Sequence, residues 1–246
     1  DPERLLILTG KILSINNRKE LYQERRNLLL ANKIDVAPFI TWFVENYPKS
    51  KNLMKSNPDI QYSVGKEPEH LAYQTKKTKD DFLSKSSDFT FHKYIDLLHI
   101  LKHRGYTFRT FEEFCKGQKQ GKFVILRHDI DARPYHALQC AEIEHNEGIR
   151  ASYYFRIVRN SNRPEIIQKI AALGHEIGYH YEEMSITKGD IKKSICLFEK
   201  NLAYFRQFYP IKTICMHGSP TSSFSNIDLW KHYDYRQSGI IGEPYF

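Results

Sequence analysis

The stretch Phe123-Val124-Ile125-Leu126-Arg127-His128-Asp129-Ile130-Asp131 decides the fold. Its four apolar residues read as a buried strand. Side chains alternate along a strand with period two, so the carboxylates of Asp129 and Asp131 leave its end on one side. About fifty residues on, a second strand-like run closes with Gly178-Tyr179-His180-Tyr181-Glu182. An Asp-x-Asp and a His at the ends of successive strands suit a hydrolytic metal site. One acid and the imidazole can hold an ion while the other acid handles a proton.

Outward from this stretch, strand and helix patterns alternate. Strands are expected over 123–127, 151–157, 175–181 and 212–216, with a further candidate at 238–241. Helices are expected over 134–147, 163–173, 188–208 and 225–232, and Pro134 and Pro164 fall where first turns belong. Upstream, Phe91, Tyr94, Ile95, Leu98 and Leu101 share one face of a helix that Gly105 ends, and a short helical piece follows around Phe111 to Cys115. The alternation predicts an α/β fold with a parallel sheet, open or rolled into a barrel. The expectation for 88–246 is a distorted, incomplete (β/α) barrel.

Before it, the polar, charge-mixed stretch 76–87 reads as a linker. Residues 1–75 read as a small, mostly helical segment. Lys19 to Lys33 is rich in helix formers, Pro38 to Tyr47 carries a bulky face of Phe39, Trp42 and Phe43, and a third short piece precedes Pro58. The segment opens on the strand-like Leu5-Leu6-Ile7-Leu8, and the chain begins with Asp1 rather than Met. It is therefore expected to be the tail of an upstream domain.

Composition excludes some classes. The 246 residues carry a net charge of +8. That charge is spread evenly, with 15 Lys and Arg against 11 Asp and Glu in residues 1–87 and 22 against 18 in the rest. An even spread argues against a nucleic-acid partner, which would want a basic stripe. No apolar run approaches the roughly 18 residues of a membrane span. Cys115, Cys140, Cys196 and Cys215 contain no C-x-x-C pair and read as buried free thiols, which favours a reducing, cytoplasmic location.

In parallel α/β sheets, ligands gather at the carboxyl ends of the strands. Those ends here deliver His128, Asp129 and Asp131, then Arg156, then His180, Tyr181, Glu182 and Glu183, then His217-Gly218-Ser219-Pro220. Four successive ends with polar or ionisable groups point to one site. The milder readings stand beside it. The two Asp could cap the next helix, His180 and His175 could be core histidines, and His217 could belong to a turn.

The ordered series LRHDID, ASYYFRI, GHEIGYHYE and CMHGSP resembles the polysaccharide deacetylase superfamily of carbohydrate esterases, over residues 88–246 only. The resemblance implies a metal-dependent hydrolase that removes an acetyl group from an N-acetylated sugar, with a role in bacterial surface-polysaccharide metabolism. It implies Asp129 as catalytic base, and Asp131 and His180 as ligands of one divalent metal, expected to be zinc. Where the family has a second His, four residues after the first, this chain has Met184, a poor zinc ligand. His217 is the first candidate for the third ligand and Glu182 the second. Arg156, Tyr181, Glu182 and His128 are the candidates to touch a carbohydrate substrate. The family's late His, which protonates the leaving amine, would lie beyond Phe246, where the natural chain is expected to continue. Two alternatives remain: a catalytically degenerate carbohydrate-binding or scaffold module, and a hydrolase of another non-peptide C–N bond.

Overall fold

The computed structural model describes residues 14, 16–17, 20–25, 34, 36–64 and 90–246. The expected linker at 76–87 and the strand-like Leu5 to Leu8 lie outside them, as does most of the expected helix from Lys19 to Lys33, of which residues 20–25 are helical. The chain divides into two compact units, 1–104 and 105–246.

The first unit is helical where described. Helix α1 (Val36–Glu45) stacks Phe39 against Trp42 and Phe43, with ring centroids 6.0 and 6.1 Å apart. Helix α2 (Lys49–Ser56) and a 3-10 turn (Pro58–Tyr62) follow. Helix α3 (Phe91–His103) starts at Thr90, whose side chain accepts the Lys93 N–H, and it packs on α1. The sequence reading grouped this helix with the barrel; its contacts place it in the first unit. Periodicity shows that a helix has a buried face but not which neighbour covers it.

The second unit opens with β1 (Thr107–Arg109), helix α4 (Phe111–Cys115) and β2 (Phe123–Ile125), with β1 and β2 paired in parallel. A capping box between Thr110 and Glu113 starts α4. A four-stranded parallel sheet then runs in sequence order: β3 (Arg127–Ile130), β4 (Ser152–Phe155), β5 (Glu176–Tyr181) and β6 (Ile214–Met216). Between them lie α5 (Pro134–Asn146), α6 (Pro164–Ala172), α7 (Glu183–Ile186) and α8 (Ile191–Phe205). Pro134 and Pro164 each open a helix. The sheet is a curled half-barrel.

Three expected elements are corrected. The run 123–127 is not one strand. It breaks at Leu126, so β2 pairs with β1 while β3 pairs with β4. The candidate strand 238–241 is absent. A 3-10 turn (Tyr235–Ser238) ends at Gly239 in the left-handed region, φ 70°, and only an isolated bridge from Gly242 to Thr213 follows. The expected helix 225–232 is a 3-10 turn (Asn226–Lys231).

Register fixes which side chains share a face. Asp129 stands opposite Tyr154, Tyr154 opposite Gly178, and His180 opposite Cys215. The alternate residues Tyr153, Phe155, Ile177, Tyr179 and Tyr181 face the helices and form the core with Ile166, Ile170 and Phe198. The sheet therefore has an apolar outer face under the helices and a polar inner face that carries Arg127, Asp129, Arg156, Glu176, His180 and Cys215. Gly178 makes room on that inner face. A Cβ there would lie 2.2 Å from the ring of Tyr154, whose hydroxyl is 2.9 Å from Thr213 Oγ1.

Candidate metal centre

The inner face brings Asp131, His180 and His217 together at its carboxyl rim. Each offers one ligand atom, and the three atoms lie within 4.8 Å of one another. Three strand ends supply them: the turn after β3, the end of β5 and the residue after β6. His217 Nδ1 is 3.1 Å from Asp131 Oδ1 and 3.3 Å from His180 Nε2, and His180 Nε2 is 3.7 Å from the same carboxylate oxygen. His180 is 3% exposed, and its Nδ1 donates to the Cys215 carbonyl at 2.8 Å. That bond fixes the tautomer, so the Nε2 lone pair points at Asp131 and His217. Burial first of all lowers the His180 pKa, so the ring is held neutral, the form that binds metal.

The residues fit a metal. A carboxylate and two imidazoles converge without a basic side chain close enough to satisfy all three. Arg156 Nη1 approaches Asp131 only to 3.7 Å. One oxygen and two nitrogens are a donor set for a divalent transition metal. A second group, Asp129, His180 and Cys215, shares His180. Burial and then the Asp129 charge push the Cys215 thiol well up, so it stays protonated beside that carboxylate. The Asp129 side chain is 28% exposed and lies 3.1 Å from Arg127 Nη2. Arg127 in turn meets the Tyr245 hydroxyl at 3.4 Å, with its guanidinium over that ring.

The other expected residues are sorted by strand parity and by partners. Tyr181 does not line the site. It lies on the helix face, fully buried, with its ring against Trp230 and its hydroxyl accepting the Trp230 N–H at 2.8 Å. His128 also faces outward, stacked on Tyr153 and bonded to Glu144 Oε1 at 2.6 Å. Glu182 is on the inner face, but Arg156 holds it in a two-pronged pair, 2.9 Å from Nε to Oε1 and 2.6 Å from Nη2 to Oε2. It is not in the converging set, and His217 takes the third position. Met184 packs in the core, 6% exposed. No side chain caps α5, so neither Asp serves as its cap. His175 is a core histidine: it accepts from the Ala151 N–H at 3.1 Å and donates to the Ala141 carbonyl at 2.9 Å. All four cysteines are free, yet of the four only Cys215 is buried; Cys115 and Cys140 are half-buried and Cys196 is exposed.

Asn226 is a residue that sequence reasoning missed. It is 2% exposed and ties the loop after β6 to α7. Its amide NH2 donates to the His217 carbonyl at 2.7 Å and to Ser219 Oγ at 3.2 Å. Its Oδ1 accepts from the Ser185 N–H at 3.0 Å and from Ser185 Oγ at 3.1 Å. A lone Asn in a polar stretch carries no sequence signal for this. Beside the centre a cleft of about 540 Å3 opens, bordered by His217, Arg156, Glu182 and the loop 219–224.

Among the described residues, no helix is long and apolar enough to cross a membrane. Comparison with family models, with curated proteins and with solved structures finds no match to this chain.

Proposed function

We propose that the second unit is a metal-dependent hydrolase that removes the acetyl group from an N-acetylated sugar. The observation that supports it is the convergence of Asp131, His180 and His217 on one point, with Asp129 on the same face. The substrate class comes from the motif resemblance. Asp131, His180 and His217 would hold the ion, and zinc is the metal that the motif resemblance implies. Such an ion, when bound, lowers the pKa of water and polarises a carbonyl. Asp129 is the proton acceptor for the attacking water, and Arg127 at 3.1 Å keeps its carboxylate oriented. Arg156 and Glu182, locked to each other, form the wall of the cleft beside Asp131. The free thiols fit a cytoplasmic setting for the reaction.

The test is metal content together with turnover. Protein purified without chelator is expected to hold about one divalent ion per chain. Asp131→Ala and His217→Ala should lower that occupancy. Asp129→Asn should keep the ion and lose acetate release from N-acetylglucosamine by roughly 10²–10⁴-fold, the usual worth of a general base. Wild-type protein that takes up no zinc, or an Asp129→Asn variant with undiminished turnover, would overturn the reading.

A further inference from the structure

The inner face holds a second convergence that the hydrolytic reading does not use as such. Asp129, His180 and Cys215 each offer one ligand atom, and those atoms lie within 4.8 Å of one another. The curl of the sheet is what joins them. Asp129 is on β3 and Cys215 on β6, the first and last strands of the four. In a flat sheet, three strand spacings would hold them about 14 Å apart. Cys215 stands opposite His180 in the register of β5 and β6, so both side chains share the inner face. Asp129 precedes Asp131 by two residues and reaches the same face one pleat deeper. Cys215 is fully buried, and its Sγ makes a weak contact with the Met216 carbonyl at 3.7 Å. Arg127 sits 3.1 Å from Asp129 Oδ2, which leaves Oδ1 of that carboxylate for a cation.

This donor set differs in kind from the first. Asp131, His180 and His217 offer an oxygen and two nitrogens; in the second set a sulfur replaces one nitrogen. Thiolate ligands select soft, thiophilic ions. The two sets cannot be filled together. His180 belongs to both, and its Nδ1 is committed to the Cys215 carbonyl, so it has one lone pair to give, on Nε2. We infer that Asp129, His180 and Cys215 form a second metal position, selective for a thiophilic divalent ion of the cadmium type and exclusive of the first. Binding there is an exchange. The Sγ–H bond breaks, the thiolate bonds to the ion, and the proton leaves to solvent. The ion takes His180 away from the first set and takes Asp129 away from its role as proton acceptor. Occupation of the second position is thus an off-state of the centre. That consequence rests on the hydrolytic reading, whereas the position itself rests on its three ligands alone.

The probe is cadmium alone, added to the freshly reduced full chain. Wild-type protein should take up about one cadmium per chain and gain the ultraviolet absorption of a thiolate–cadmium bond. Cys215→Ser should lose that absorption, and Cys196→Ser, which removes the exposed thiol, should keep it. Asp131→Ala breaks only the first set and should also keep it, so the test does not depend on how well Cys215→Ser folds. In zinc-loaded protein, cadmium should release the zinc while total metal stays near one ion per chain. The cadmium needed for that release should rise by at least about tenfold in Cys215→Ser. Absorption that survives Cys215→Ser, or that is missing from both wild type and Asp131→Ala, would overturn the second position. Absorption accompanied by two ions per chain would overturn the exclusion. A chain that shows the Cys215 absorption, yet when zinc-loaded never releases acetate, would overturn the hydrolytic reading and leave the second position standing.

Discussion

At the scale of single residues, the site is a matter of parity. In Arg127-His128-Asp129 and in Tyr179-His180-Tyr181, neighbours in sequence lie on opposite faces of the sheet. Asp129 and His180 reach the inner face, while His128 and Tyr181 are absorbed by the helix side. Strand parity carries that distinction, yet the sequence reading offered His128 and Tyr181 as substrate contacts beside Asp129 and His180, because nothing local says which parity faces the helices. Partner choice was not legible either. Glu182 has the right parity and the right chemistry for a ligand, yet Arg156 claims both of its oxygens. A consequence can be measured. Arg156→Met would strand a carboxylate that is 6% exposed, at a cost of about 3–5 kcal/mol in urea unfolding. Glu182→Gln should unfold less readily than that variant and match the wild type in metal uptake. Loss of zinc in Glu182→Gln would show that Glu182 is a ligand after all.

At the scale of elements, alternation of apolar runs with helix patterns located β4, β5 and β6 of the four-stranded sheet, and Pro134 and Pro164 marked the first turns of two helices. The misreadings share a cause. The break at Leu126 and the 3-10 turns at Asn226–Lys231 and Tyr235–Ser238 are set by tertiary neighbours, and local propensity carries no trace of them. The seam between β4 and β5 gives a sharper example. Tyr154 is fully buried, bonded to Thr213 and laid across Gly178, so its ring has nowhere to move. Gly178→Ala adds one methyl to that contact. The expected outcome is a loss of about 1–3 kcal/mol and a lower thermal midpoint, since overpacking a filled site forces strain. An unchanged midpoint would mean that the ring can swing aside.

At the scale of the whole molecule, stability should depend on pH through groups far from the site. His175 is buried, and burial lowers its pKa below the usual 6.5. A depressed imidazole contributes stability that is present above the unfolded-state pKa and lost as pH falls through the folded one. Acidification below about pH 6.5 should therefore weaken the second unit. Glu176 and Glu183 act in the opposite sense, because burial raises both above 4.5 and the cost of ionising them fades as pH falls toward that value. His175→Gln should flatten the slope of unfolding free energy between pH 7 and 5.5; an unaltered slope would locate the sensitivity elsewhere. Glu176 bears on shape as well. With Ser152 at 2.6 Å and Thr213 it fills the inner face at the amino end, directly beneath Tyr154 on Gly178. Two layers of side chains thus seal the floor under Asp129. Openness is left to the opposite rim, where the Asp131 side chain is 53% exposed, so the centre meets solvent from the carboxyl side of the sheet.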